Sequence, residues 1–456
     1  MQTKIRDVYV CVNCGFECGK WHGKCPSCGQ WNSMSEETLE TKSTKFSRLP
    51  PQKPDKPTKI CEISVEFEKR YKTGSSELDR VLGGGIVRGS LILVGGDPGV
   101  GKSTLLLQIC KHLSKNLNIL YVSGEETKRQ IKLRSSRLKF ESKNLYVMSQ
   151  TYIDNIIDEI QKSKPNVVII DSIQTMICKE INSIAGSVTQ VRECTNSLVN
   201  VAKSLDIPIV IVGHVNKDGM IAGPKVLEHV VDVVLHFEGD KRLSYRILRC
   251  IKNRYGSTNE IGVFKMSNDG LCEVENPSLM LLSGRPQNTP GTCVTCVMEG
   301  SRPILAEIQG LVTKTNFGNP RRMSTGFDYN RLSLLLAILE KRAGCFLGTL
   351  DTYINVVGGL RLEEPSADLC VIMALISSFR DKIIKEDIIV FGEIGLAGEL
   401  RSVPNAQERI IEAQKLGFSK CVMPFHNLKT LEKPVTNIEI LAAKNIREAF
   451  GFLMSL

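Results

Sequence analysis

Residues 91–104 read LILVGGDPGVGKST. The first four are apolar and lead into a glycine pair, the pattern of a strand buried on both faces. The next stretch, Gly96 to Ser103, matches GxxxxGK[ST] and opens an apolar-periodic segment. Strand, glycine-rich turn and helix in that order make a phosphate-binding loop. Its glycines let backbone N–H groups curl around phosphates, and the helix start adds its dipole. Gly96, Asp97, Pro98, Gly99, Val100, Gly101, Lys102, Ser103 and Thr104 are therefore the candidate nucleotide contacts, with ATP and Mg²⁺ as the expected cofactors. Lys102 is placed to reach the β- and γ-phosphates and Ser103 to ligate Mg²⁺.

The flanking sequence repeats the strand–helix rhythm. Runs at 118–124 (NILYVSG), 166–171 (NVVIID) and 207–214 (IPIVIVGH) are apolar and β-branched. Helical periodicity separates them at 102–114, 127–137, 152–163 and 188–204, and Ser187 with Gln190 suggests a capping box. This alternation predicts an α/β domain with a mainly parallel sheet over 60–280. Asp171, at the tip of a buried strand, suits the Mg²⁺ shell; a strand-end cap is the plainer reading. Glu125 and Glu126 follow another strand, at the edge where open α/β sheets bind ligands. Glu125 is the first choice to orient the attacking water, and a solvated acidic pair is the alternative.

The whole chain has 456 residues, enough for about three domains. Apolar residues make up 42% and charged residues 24%, with mean hydropathy −0.06. That composition excludes a disordered chain and a small disulfide scaffold. No apolar run approaches the ~20 residues of a membrane-spanning helix. The N-terminal MQTKIRDVYVCVNCG lacks a secretory apolar core, so no membrane partner and a cytoplasmic location are expected. The net charge of +10 suits a polyanionic partner without identifying one.

Five of the 16 cysteines lie in the first 28 residues. Cys11-x2-Cys14 and Cys25-x2-Cys28 form two knuckles able to hold one tetrahedral Zn²⁺. Cys18 and His22 are substitute ligands outside the knuckles. Residues 1–34 are read as a four-cysteine zinc finger and the Pro- and Lys-rich 35–59 as a linker. Beyond 285, strand-like stretches at 293–298, 303–313 and 353–357 and a helix at 329–343 suggest a third domain, 285–456. The glycine-, asparagine- and arginine-rich 316–326 reads as a loop. Cys293 and Cys296 read as buried thiols.

Taken together, GKCPSCGQWN (23–32), GDPGVGKST (96–104), YVSGEE (121–126), GHVNKDGMIAGPKVLEHVVD (213–232) and KNRYG (252–256) resemble the bacterial RadA, or Sms, family of RecA-related recombination proteins. The resemblance implies a RecA-like P-loop ATPase core with a small N-terminal zinc module and a C-terminal Lon-protease-like α+β domain. It implies a homo-hexameric ring on single-stranded and branched DNA that drives branch migration beside a RecA-type recombinase. Lys252 and Arg254 match the family's basic pair near the subunit interface, suited to complete a neighbour's nucleotide site; two charges on a solvated strand end are the alternative. Lys217 and Lys225 match the region of the DNA-contacting loop, and His214 stands at its start.

GEIGLAGEL (392–400) and EAQKLGFSKCVMP (412–424) resemble the Lon domain. Lon peptidases use a Ser–Lys dyad. Here Ser366 falls at the serine position, but Gln407 falls at the lysine position, and an amide is no general base. Asp368 also replaces a glycine of that motif. A catalytically inactive domain is expected. A DNA-dependent ATPase and helicase motor is the leading reading; a nucleotide-switched scaffold without motor activity and a Lon-type peptidase are the alternatives.

Overall fold

The structure, a computed structural model, describes residues 4–11, 16–41, 59, 69–181, 183–213, 224–239, 245–315, 318–432 and 435–454. Two compact units divide between Val274 and Glu275. The expected zinc ligand Cys14 and the loop candidates His214 and Lys217 lie outside the described residues.

At the N-terminus, β1 (Lys4–Cys11) is flanked antiparallel by β2 (Glu17–Cys18) and β3 (Met34–Thr41). The register of β1 and β3 runs from Lys4↔Thr41 to Cys11↔Met34. The metal module therefore extends to Thr41, and the linker does not begin at 35. The polar run SEETLET concealed this strand, since ladder pairing satisfies backbone groups whatever the side chains are.

The ATPase-type region opens with a small pair, β4 (Arg70–Tyr71) and β5 (Ile86–Val87), joined through α1 (Ser76–Val81). The alternation follows as β6 (Leu91–Gly96), α2 (Lys102–Leu113), β7 (Ile119–Ser123), α3 (Lys128–Arg137), β8 (Leu145–Ser149), α4 (Ile153–Ser163) and β9 (Val167–Asp171). Then come α5 (Val188–Leu205), β10 (Ile209–Val212), α6 (Pro224–Val230), β11 (Val233–Glu238), β12 (Tyr245–Asn253), β13 (Ile261–Ser267) and β14 (Gly270–Glu273). Among the described residues the sheet has nine strands in the order β14-β13-β12-β11-β6-β10-β9-β7-β8. The run from β11 to β8 is parallel and the rest antiparallel.

Strand periodicity explains the all-apolar sequence. Ile92, Val94, Ile119, Tyr121, Val167 and Ile169 face one core with Leu105, Leu106 and Ile109 of α2. Leu91, Leu93, Leu120, Val122, Val168 and Ile170 face the other, with Ile156 and Ile160 of α4 and Leu198 and Val201 of α5. Both faces are dry, so both sets of alternating residues must be apolar. At the start of α5 only half of the capping box forms. The Ser187 hydroxyl accepts from Gln190 N at 3.3 Å, but the Gln190 amide turns to Cys178 N and O instead.

The C-terminal unit starts earlier than 285. Asn276 caps α7 (Pro277–Leu281), and the Ser278 hydroxyl accepts from Leu305 N at 3.1 Å, tying that helix to the unit's own sheet. The sheet strands are β15 (Thr292–Glu299), β16 (Arg302–Lys314), β17 (Arg322–Thr325), β18 (Leu350–Val356) and β19 (Ile388–Val390). A short pair, β20 (Glu393–Ile394) with β21 (Leu400–Arg401), stands apart, and β22 (Lys420–Pro424) and β23 (Glu439–Ala443) complete the sheet. Among the described residues its order is β17-β18-β16-β15-β19-β22-β23. The stretch expected as a loop over 316–326 thus contains β17, paired parallel to β18. The helices are α8 (Tyr329–Ile338), α9 (Asp368–Arg380), α10 (Ala406–Lys415) and α11 (Ile446–Met454). The helix expected over 329–343 ends its α geometry at Ile338 and closes on a π turn, Leu339–Ala343. Cys293 and Cys296 are buried in β15, as expected.

Candidate nucleotide site and metal centre

The phosphate loop sits at the C-terminal end of β6, between that strand and α2. Gly96 has φ +142°, and a Cβ there would lie 2.3 Å from the Phe237 carbonyl oxygen. No other residue fits beside β11 at that point. Gly101, at φ +116°, opens α2. Lys102 is 4% exposed and donates to Gly96 O at 2.6 Å and Asp97 O at 3.0 Å. Burial draws its pKa down, while the charges of Asp171, Asp97 and Glu125 push it back up. An ammonium so placed is sparsely hydrated and strongly attracted to phosphate oxygens.

Asp171 ends β9 and is buried. Its Oδ2 accepts from the Tyr121 hydroxyl at 2.7 Å, and burial beside that carboxylate holds the phenol well above its usual pKa. Tyr121 remains protonated and a donor. The two glutamates have different partners. Glu126 pairs with Arg134 of α3, and its N–H donates to the Ser123 hydroxyl at 2.9 Å. Glu125 accepts from the Ser172 hydroxyl, next in chain to Asp171. The Arg134 guanidinium holds Glu126, whereas the Ser172 hydroxyl donates to Glu125. Gly124 is required just before them, because a Cβ there would lie 2.0 Å from Thr175 Oγ1.

The phosphate loop and both glutamates line one cleft of about 510 Å³. Pro98, Gly99, Gly101, Lys102, Ser103, Thr104 and Glu125 are on its wall, with Glu126, Arg134, Arg137 and the turn from Met266 to Gly270. Sequence reasoning missed Tyr121, Arg134, Arg137 and Ser172. Tyr121 had a signal, since it lies two residues before Ser123, which pairs with Asp171 across β7 and β9.

KNRYG lies elsewhere in the protomer. Lys252 Nζ donates to Glu228 O at 2.6 Å, Val231 O at 2.8 Å and His229 O at 3.3 Å, capping the carbonyl end of α6. Burial, then the nearby Arg254 charge, lower its pKa. Arg254 pairs with Asp232 at 3.1 Å, and Asp232 also accepts from Leu91 N. Neither side chain lines the cleft of its own chain. Lys225 lies in α6.

The Sγ atoms of Cys11, Cys25 and Cys28 lie within 4.8 Å of one another, and Cys11 and Cys28 are 3.7 Å apart. Tetrahedral Zn–S bonds of ~2.3 Å place sulfurs about 3.8 Å apart, so the thiols fit zinc. Cys18 instead points its sulfur at Lys20 O, 2.9 Å away.

In the C-terminal unit Ser366 is buried and accepts from Arg409 Nη1 at 3.2 Å. Arg409 also pairs with Glu364 and donates to Cys296 O. The serine is thus held by Arg409, two residues beyond Gln407 on α10. A guanidinium keeps its protons and cannot activate a nucleophile. Asp368 is fully buried against Arg331. Among the described residues no helix is long and apolar enough to cross a membrane.

Comparison with known proteins agrees with this division. The AAA domain family model matches residues 56–220, the rubredoxin metal binding domain 9–36, and the Lon protease (S16) C-terminal proteolytic domain 346–452. The chain is 49% identical over 451 residues to the DNA repair protein RadA of Bacillus subtilis (strain 168), covering 98% of each. It is 48% identical over 449 residues to that of Listeria monocytogenes, with 98% of each covered. Against that of Haemophilus influenzae it is 46% identical over 460 residues, covering 100% of each.

Proposed function

The chain belongs to the RadA family of DNA repair proteins, and from that premise we propose that it is a DNA-dependent ATPase whose hydrolysis drives branch migration of recombination intermediates. The observation that carries this reading is the cleft walled by Lys102, Ser103 and Glu125 at the C-terminal end of the parallel strands, with buried Asp171 near enough for its charge to act on Lys102.

In this reading ATP lies along Gly96–Thr104 with its phosphates on the loop's N–H groups. Lys102 leaves the two carbonyls it now holds and takes the β- and γ-phosphates. Ser103 and Asp171 hold the Mg²⁺, whose charge would stabilise the transferring phosphoryl group. Glu125, on the cleft wall and near Lys102, orients the attacking water. The Ser172 hydroxyl fixes its rotamer.

A motor also needs neighbours. The working form is proposed as a homo-oligomer, a hexamer, in which Lys252 and Arg254 complete the site of an adjacent protomer. To do so they must leave the α6 carbonyls and Asp232. Such an exchange links the neighbour's nucleotide to α6, the helix that carries Lys225 and follows the DNA-loop candidate Lys217. Single-stranded and branched DNA, with a RecA-type recombinase, are the proposed partners, in the cytoplasm. The zinc module is proposed to use Cys14 as its fourth ligand.

The test follows strand movement on a labelled three-stranded intermediate. With Mg²⁺-ATP the labelled strand should be displaced; with a non-hydrolysable analogue it should stay. Steady ATP consumption with a stationary branch point would exclude the motor.

A further inference from the structure

The metal module carries a surface that neither zinc nor the ATPase cleft explains. The whole sequence contains two tryptophans, Trp21 and Trp31, and both lie here. Their exposures are 58% and 69%. A hairpin presents them: Asn32 N donates to Gly23 O at 2.8 Å, Cys25 N donates to Gln30 O at 2.9 Å, and Lys24 bridges to Trp31. The two indoles converge over Gly23. A methyl group on that glycine would lie 3.4 Å from Trp21 Cη2 and 3.8 Å from Trp31 Cζ3. Two large apolar rings left in water at one spot are unfavourable by area alone, and adjacent exposed aromatics mark a binding surface.

The charges around them select the partner. From Cys18 to Ser35 the sequence holds Lys20, His22 and Lys24 and no Asp or Glu. Lys20 and Lys24 are exposed, and the Lys24 ammonium lies 5.7 Å from the centre of the Trp31 ring. A zinc–thiolate centre would itself be anionic; Cys11 and Cys25 are buried and Cys28 is exposed, while Lys20 and Lys24 lie exposed on the tryptophan side of the hairpin. Flat π-faces beside cations match unstacked bases joined by phosphates. In duplex DNA the base faces are covered by stacking and closed to an indole.

We propose that Trp21 and Trp31 form a base-stacking platform for single-stranded nucleic acid, with Lys20 and Lys24 on the neighbouring phosphates. The platform rests on the reading of the chain as a DNA-dependent ATPase and gives its metal module a direct hold on the strand. Each stacked base contributes about 1–3 kcal/mol whatever its identity.

Because both tryptophans are in the module, the tryptophan emission of the full-length, zinc-loaded protein, excited at the red edge where tyrosine does not absorb, reports on this surface. An unlabelled oligothymidine of about 20 nucleotides, longer than a typical single-strand site, is titrated in. Overall binding is followed separately by the anisotropy of a labelled copy. The platform requires tryptophan emission to be quenched in step with the anisotropy. Trp21→Ala and Trp31→Ala should each weaken binding roughly 5- to 150-fold, and the Phe variants should retain part of it, with zinc content unchanged. Binding by anisotropy with unaltered emission would overturn the platform and leave the motor reading standing. Failure of the oligonucleotide to bind at all would overturn both. Emission that responds to a recombinase protein and not to the oligonucleotide would also overturn the proposal and make the surface a protein dock.

Discussion

Lys102→Ala is expected to lower ATP turnover by roughly 10²–10³-fold, the loss typical of removing one preorganised charge from a developing anion. Lys102 makes no ion pair that the fold depends on; its bonds go to Gly96 O and Asp97 O, at a loop whose shape the glycines already determine. The variant should therefore fold and lose its rate. Single-turnover hydrolysis separates this loss from one of binding. Glu125→Gln should fall comparably with nucleotide binding retained, because the amide keeps the size of the carboxylate and loses its basicity. Glu126→Gln should keep most of the turnover, since Glu126 spends its charge on Arg134. Equal losses at the two glutamates would overturn the division of roles between them.

Arg409→Ala is expected to destabilise the C-terminal unit by about 3–5 kcal/mol, the usual result of stripping one partner from a buried ion pair. Arg409 is fully buried. Its removal would take the cationic partner from the Glu364 carboxylate, which would keep only the Met298 N–H among the bonds described, and a donor from the Ser366 hydroxyl and the Cys296 carbonyl. Phe391, 5.8 Å from the guanidinium carbon, would face a cavity. Replacing Glu364 and Arg409 together by apolar residues of similar volume should recover much of the loss, since no orphan charge then remains. Urea unfolding of the unit measures both. A single-variant loss under about 1 kcal/mol would mean the cluster is wet and adaptable. The same cluster removes the argument for peptidase chemistry, because the group on Ser366 cannot accept a proton.

The parallel core was legible because a sheet covered on both faces must be apolar at consecutive positions, and LILVGG, ILYVS and VVIID satisfy that without ambiguity. The phosphate loop was legible because only glycine fits where the backbone passes Phe237. Other features left weaker traces. Carbonyls have no side-chain signature, so nothing in KNRYG announced that Lys252 caps α6. The β3 strand is polar and pairs through its backbone. Arg409 was not legible beside Gln407, although helical spacing gives a trace of it: Ala406, Arg409, Ile410 and Ala413 form the buried stripe of α10. A buried arginine breaks the apolar pattern that makes such stripes visible. Cys14, His214 and Lys217 lie outside the described residues, and the roles expected of Cys14 and Lys217 stand as proposals.

The central claim is that the P-loop cleft works for DNA. Its most direct test is the rate of ATP hydrolysis by the zinc-loaded chain with and without single-stranded DNA, at low and moderate salt. The account predicts stimulation that weakens steeply as salt rises, because phosphate contacts release counterions that added salt returns. A rate indifferent to DNA at both salt concentrations would contradict it.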